Sequence, residues 1–538
     1  MQTRDKHKLP AAEFIFLAGL MGLYFATRLT GLTLLPIFTD EAMYIHIAQI
    51  IDSNWENLFL TKVNAFKPLF IWIVATYQNF FPDPLLAGRL VSVAAGAAST
   101  LGIYWLGREL FSDRVGKVSA IIYLFCPYFI FFERLALMES LVNAFGIWTV
   151  WVSFRITKEN ELKIRSFVLL GTLLGLAFLT KSTALMFFPA PFVIFLLAKT
   201  YTKINFLKFL SGTIFLVLLI NLPYFLTDQV IGFNNRHPIF SSTNFYIPIE
   251  TLVGFPIDIW GRNIWTIYVY FMIYLTFPLF LVIAFGIFYA LLQKNKTGIT
   301  LLLLFVIPAS IIVLIGDRIF SRYYLIVIPP LIILSGWALV QLANYVSRRL
   351  NVLHSTWANI LLAVLLIFMV SEGIVFSKNL SKDPFKAFFP KIDRYQYLTS
   401  QSSGHGVKEA AEFLITKSKA EPIYVLTSWS QGNPQDGIMV YLWGQPKINT
   451  IPALWWPGEK KLFPQGETFP VFPSKYQSIK PGTGNTADLK NVFFIMPLEA
   501  TDYKKEVLEN NPGWKRVWQL SKPDGKSNIE IYQYKNLN

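Results

Sequence analysis

AAEFIFLAGLMGLYFATRLTGLTLLPIFTDEAMYIH, residues 11–46, decides the class of this chain. Apolar residues run from Ala11 to Phe38 and then give way directly to Thr39-Asp40-Glu41. Apolar stretches about 17–25 residues long have the span of a bilayer-crossing helix. Ionisable groups at a membrane boundary are costly unless water, a partner or a substrate receives them. The run therefore reads as a first membrane helix that delivers two carboxylates to one face of the bilayer. A second unusual piece follows, Asn64-Ala65-Phe66-Lys67-Pro68-Leu69. An acid and a base at one membrane face suggest a membrane-embedded enzyme.

The rest of the chain supports that class. Its 538 residues are 54% hydrophobic and 15% charged, with a mean hydropathy of +0.44, whereas soluble proteins carry about 25% charged residues. The fold expected is a polytopic α-helical membrane protein. The formal net charge is +15, but the cations sit in short loops between apolar spans. Topology accounts for them, and no nucleic-acid partner is expected. The single cysteine, Cys126, lies in an apolar segment, which excludes an intramolecular disulfide and a cysteine metal cluster. The five histidines form no H-E-x-x-H pattern. Arg4, Lys6 and Lys8 precede the first span and no small-residue cleavage site closes it, so an uncleaved helix is expected.

Apolar run length predicts about eleven spans, near residues 12–35, 85–107, 116–132, 137–154, 166–180, 182–198, 207–226, 265–292, 299–316, 323–345 and 357–376. Lys181 interrupts 166–198; taking two spans there keeps the loop charges alternating, and a single helix would reverse the sidedness downstream. Loops carrying Arg108, Arg114 and Lys117, then Arg155, Lys158, Lys163 and Arg165, then Lys199, Lys203 and Lys208, Lys294 and Lys296, and Arg348 and Arg349 all fall on the side of the N-terminus. The positive-inside rule makes that side cytoplasmic and puts the C-terminal region outside a plasma membrane. The opposite side collects Asp40, Glu41, Lys67, Glu133, Arg134, Glu139, Lys181, the 228–264 loop with His237 and Asp258, Asp317, Arg318 and Arg322. Their convergence on one face is the main sequence argument for a site.

Two regions differ from the spans. In 39–84, Met43, Tyr44, Ile47 and Ile51 line one helical face and His46, Gln49 and Ser53 another, and Phe66 to Phe81 is apolar but short; both fit helices lying in the interface. Residues 378–538 have ordinary polar composition with β-type runs at Ile423–Thr427, Ile438–Trp443, Val492–Met496 and Ile529–Tyr534, preceded by an amphipathic helix from Val407 to Leu414. They predict an extracytoplasmic α/β domain, residues 378–538, following a membrane domain, residues 1–377. The Pro- and Gly-rich 445–485 reads as loop, with Trp455-Trp456-Pro457 as a packing or interface aromatic pair.

An ordered set of residues carries a resemblance. It comprises Asp40-Glu41 with Tyr44, Lys67-Pro68-Leu69-Phe70-Ile71-Trp72, Arg89, Glu133-Arg134 through Glu139, Thr180-Lys181 and Arg322-Tyr323-Tyr324. In roughly its first 350 residues the chain resembles the GT-C superfamily of polyprenyl-phosphate-sugar-dependent glycosyltransferases. It is most similar to the relatives of protein O-mannosyltransferases and of the aminoarabinose transferase that modifies lipid A. Family members usually have two prolines where this chain has Pro68-Leu69. Their second acidic position is often Asp, which leaves Glu139 and Glu133 as alternatives here. The resemblance implies transfer of a sugar from a polyprenyl-phosphate donor, with inversion, to a protein, lipid or glycan acceptor outside the cytoplasm.

Such transfer needs a base for the acceptor hydroxyl and cations for the departing phosphate. Position and resemblance make Asp40 the expected base, with Glu41 orienting a cation or the acceptor. Lys67, Arg322, Tyr323 and Lys181 are expected at the donor phosphate; Arg89 is expected either there or in a buried pair with a carboxylate. Glu133, Arg134 and Glu139 form a second acidic site that pairs with these cations or holds magnesium or manganese. No cofactor is required, though a divalent cation is compatible, and no metal site is assigned. The competing reading is a transporter or flippase of lipid-linked sugars; the internal repeat that such a protein often shows is not evident.

Overall fold

The computed structural model describes residues 11–61, 66–159, 163–198, 203–227, 245–349, 355–428, 432–453, 468–473, 475, 482–485, 491–499, 509–510 and 513–534. His237 and Trp455-Trp456-Pro457 lie outside these residues. Contacts group the chain into two compact units. The first holds the described residues of 11–32, 92–227 and 245–388, and the second those of 33–91 and 389–538.

Among the described residues, six helices are long and apolar enough to cross a membrane: Ala11–Leu29, Pro84–Leu110, Asn205–Leu226, Lys296–Ile315, Pro329–Arg348 and Asn359–Lys382. The other expected spans are helical but shorter, more polar or broken. The 116–132 run divides at Cys126, where Asp113–Phe125 ends and Pro127 opens Pro127–Phe132; proline suits a first helical position because its missing N–H has no partner there anyway. The 166–198 run breaks at Lys181, between Ile164–Thr180 and a 3-10 turn over Ser182–Phe187.

The 265–292 run is not one straight helix. Ile257–Tyr274 and Phe277–Leu292 meet at 115°. Pro278 cannot donate to Tyr274 O, four residues back, and that carbonyl accepts from the Cys126 thiol instead, at 3.6 Å. Thr276 takes a left-handed φ of 63° at the corner. Asp258, expected in a loop, lies in the first turn of Ile257–Tyr274.

In the second unit, Thr39–Ser53 and Leu69–Gln78 are helices, as the face pattern of 39–84 suggested. The C-terminal region forms a seven-stranded sheet of order β4-β3-β2-β1-β5-β7-β6. The strands are β1 (Ile423–Ser428), β2 (Ile448–Ala453), β3 (Thr468–Pro473), β4 (Gly482–Asn485), β5 (Val492–Glu499), β6 (Trp514–Ser521) and β7 (Ser527–Tyr534). β1 runs parallel to β2 and β5, and the remaining pairs are antiparallel. Leu426, Ile451, Val492, Phe494, Met496, Trp514 and Tyr532 form one core cluster of the sheet.

Two expectations for this region are corrected. Ile438–Trp443 is not a strand, because Gln435–Leu442 is a helix. Parallel strands need a crossover connection, usually a helix, and this one links β1 to β2. The 445–485 segment carries β2, β3 and β4 where loop was expected; Pro470 and Pro473 in β3 are residues that normally argue against a strand.

Candidate functional site

In the first unit three distant residues meet. Glu139 stands in the first turn of Met138–Ile156, where the helix dipole favours a carboxylate. Lys181 closes Ile164–Thr180, its N–H bonded to Ala177 O at 3.1 Å. Arg322 belongs to the 3-10 turn Ser321–Tyr324, which Tyr128 holds by donating its hydroxyl to Ser321 O. Lys181 Nζ lies 2.7 Å from Glu139 Oε1, and Arg322 Nε lies 3.4 Å from the same oxygen. The Tyr323 ring centroid is 5.6 Å from Lys181 Nζ and 5.7 Å from Arg322 Cζ. Glu139 and Arg322 are buried, and the Lys181 side chain is 21% exposed. Two cations thus share one carboxylate oxygen, so the trio carries a net positive charge. The Lys181 pair has the length of a charge-assisted hydrogen bond, whereas Arg322 stands further off as an ion pair.

A small apolar cavity of about 30 Å³ adjoins the same turns in sequence. Met186 and Phe187 follow Lys181, Ile326 and Pro329 follow Arg322, and Gly146 and Ile147 come from the Glu139 helix.

Glu133 and Arg134, also in the first unit, are engaged elsewhere. Glu133 Oε2 takes Arg28 Nε and Nη2, each at 3.0 Å, and Tyr24 Oη at 3.2 Å; its Oε1 takes Tyr123 Oη at 2.7 Å. Asn143 donates to Tyr123 Oη at 2.9 Å. Arg134 donates to the carbonyls of Thr27, Arg28 and Gly31 at 2.8–2.9 Å, filling the acceptors that the end of Ala11–Leu29 leaves open. Glu133 and Glu139 therefore sit in different charge networks.

In the second unit, Glu41 and Arg89 form a fully buried bidentate pair, Nε to Oε1 at 2.8 Å and Nη2 to Oε2 at 2.7 Å. Arg89 also donates to Leu35 O and Pro36 O, and Glu41 Oε2 accepts from Phe38 N at 2.9 Å. Of the two readings open for Arg89, the pair with a carboxylate is formed. Asp40, beside this pair in the first turn of Thr39–Ser53, is half-buried. Lys67 is 6% exposed and precedes Leu69–Gln78. Among the described residues, no three His, Cys, Asp or Glu side chains converge as a metal site would require.

Residues 66–226, which include Lys67, Arg89, Glu139 and Lys181, match the dolichyl-phosphate-mannose-protein mannosyltransferase family model. The undecaprenyl phosphate-α-4-amino-4-deoxy-L-arabinose arabinosyl transferase of Wigglesworthia glossinidia brevipalpis is 26% identical over 177 residues, 31% of each chain. The match thus spans about a third of that relative's length. The structure is similar to ArnT from Cupriavidus metallidurans over nearly its whole length. The TM-score is 0.59 for the apo state, covering 96% of this chain and 97% of that one, and 0.57 for the form bound to undecaprenyl phosphate, covering 97% and 98%; both are 12% identical. The chain thus shares the fold of ArnT and, over residues 66–226, the sequence pattern of the mannosyltransferase family.

Several residues that shape the two units were not marked in the sequence. Arg28 lies inside the first apolar run, and the rule that a membrane-buried charge needs a partner was the signal that could have found it. Asn433, Asp436 and Ser402, described below, sit in ordinary loop or helix sequence and gave no signal.

Proposed function

We propose that this multi-pass membrane protein is a glycosyltransferase that moves a sugar from a polyprenyl-phosphate donor to an acceptor hydroxyl. Asp40 takes the hydroxyl proton, the oxygen attacks the anomeric carbon, and the bond from that carbon to the phosphate oxygen breaks. The phosphate leaves with its lipid, and a single displacement of this kind inverts the anomeric centre. Lys181, Arg322 and Tyr323, with Lys67, receive the phosphate charge; Glu139 keeps the first two cations in register. The step needs no cofactor. Arg89 and Glu41 hold the first turn that carries Asp40. The acceptor is a protein, lipid or glycan. The N-terminus is placed in the cytoplasm and the C-terminal domain outside, on the support of the basic loops.

The observation that carries this reading is the net-positive trio of Glu139, Lys181 and Arg322, set at the ends of apolar segments. Purified protein in detergent is to be given undecaprenyl-phosphate-linked 4-amino-4-deoxy-arabinose in one arm and dolichyl-phosphate-mannose in another, with release of the lipid phosphate as the readout. Release from either donor is expected, and Arg322→Ala should slow it about 10²-fold, the usual loss on removing one group that stabilises developing charge. Release at an unchanged rate in Arg322→Ala would reject the assignment of the phosphate site.

A further inference from the structure

The first turn of Thr39–Ser53 is gripped from the C-terminal region of the same unit. Thr39 donates both its N–H and its hydroxyl to Ser402 O, each at 3.1 Å. Asn433 Nδ2 bridges Ile37 O at 2.8 Å and Ser402 O at 3.0 Å. Further along the helix, His46 Nδ1 lies 2.7 Å from Asp436 Oδ1, and Gln49 donates to Val440 O at 3.1 Å.

The grip is built in detail. Buried Lys522 donates to the carbonyls of Ser400, Gln401 and Ser403 at 3.0, 3.2 and 2.8 Å. The carbonyl its bonds skip, that of Ser402, is the one that meets Thr39 and Asn433. Asp436 Oδ2 accepts from Gly432 N at 2.6 Å, closing the loop that presents Asn433. Both loops approach so closely that side chains would not fit. A Cβ on Gly404 would stand 2.0 Å from Ile37 O, and one on Gly432, whose φ is +84°, would stand 2.1 Å from Thr39 Cγ2.

A helix that only needed anchoring could be held by apolar packing anywhere along its length. Here three of these five polar contacts fall on Ile37 and Thr39, just before Asp40, with His46 and Gln49 taking the other two, and the Glu41–Arg89 pair clamps the residue just after Asp40. We infer that the C-terminal region positions Asp40 for proton transfer, with Asn433 and Lys522 as positioning residues acting through the Ser402 carbonyl. The inference rests on Asp40 being the base.

The test compares Asn433→Asp, Asn433→Ala and Lys522→Met with Asp40→Asn in the full-length protein, reading kcat and KM for the lipid donor alongside thermal stability. Asn433→Asp keeps the size of the side chain and loses both amide donors. A displacement of about 1 Å at a reacting group can cost about 10²-fold in rate. Both Asn433 variants are therefore expected to lose about 10- to 100-fold in kcat, with the donor KM within about two-fold of wild type and the unfolding temperature unchanged. Lys522→Met, which releases the loop further back, should lose kcat in the same sense. If Asp40→Asn is inactive while Asn433→Asp turns over like wild type, the positioning role is overturned and the base assignment stands. If Asp40→Asn retains transfer, the base assignment itself fails and the inference falls with it. A fall in kcat that only tracks a fall in folded fraction would also overturn it, since that is the behaviour of a merely structural contact.

Discussion

Glu133 and Glu139 show at the residue scale how one side-chain type is put to two uses by its surroundings. Glu133 faces Arg28 and two tyrosines in a closed, buried network, whereas Glu139 holds two cations with one oxygen. Removing one partner of a buried ion pair costs about 3–5 kcal/mol, because the other charge stays behind. Glu133→Gln should therefore lower thermal stability by that order while transfer per folded molecule stays near wild type. Glu139→Gln, which also breaks a buried pair, should in addition slow transfer per folded molecule by about 10²-fold through misplaced Lys181 and Arg322. Thermal unfolding and single-turnover transfer on the two variants check this; equal effects on both readouts would contradict the division. The meeting of Glu139, Lys181 and Arg322 was legible because charges at span ends are rare and their sidedness could be counted. The Arg28 partner of Glu133 was not, because one arginine within a long apolar run barely changes its hydropathy.

Short elements carry the functional groups and long ones set their spacing. The 3-10 turns after Lys181 and around Arg322, and the first turns of Met138–Ile156 and Thr39–Ser53, are where backbone groups are only partly committed and a side chain can be aimed. Most helices could be read from apolar run length, and β1, β5 and β7 from their β-type runs. The corner at Thr276 and the helix Gln435–Leu442 could not, since tertiary demands decided both: a proline-freed carbonyl in one, a parallel crossover in the other. The loop that presents Ser402 also has a pH signature. Burial, with the Lys522 ammonium nearby, pushes the His405 imidazole down to about 4, against about 6.5 when unfolded. Between those values the unfolded chain binds a proton that the folded chain does not. Stability is thus full above about pH 6.5 and is lost as pH falls toward about 4. His405→Phe, which has no such proton to bind, should flatten this part of the stability–pH curve. A wild-type curve already flat over that range would refute the assignment.

At the scale of the whole molecule, two compact units and an ordered set of apolar helices make a protein whose sidedness can be measured. Cys126 is buried, so single introduced cysteines report cleanly. Lys515→Cys in the C-terminal region should react with a membrane-impermeant maleimide in intact cells, and Lys158→Cys only after permeabilisation; both positions are exposed. The opposite pattern would invert the topology and with it the side on which sugar is transferred.

The central claim is that Asp40 accepts the proton that makes the acceptor oxygen a nucleophile. Single-turnover transfer from a polyprenyl-phosphate sugar, with wild type and Asp40→Asn side by side and donor binding measured on both, tests it most directly. The account predicts that Asp40→Asn binds the lipid donor as wild type does and transfers no sugar. Transfer by Asp40→Asn at the wild-type rate would contradict it.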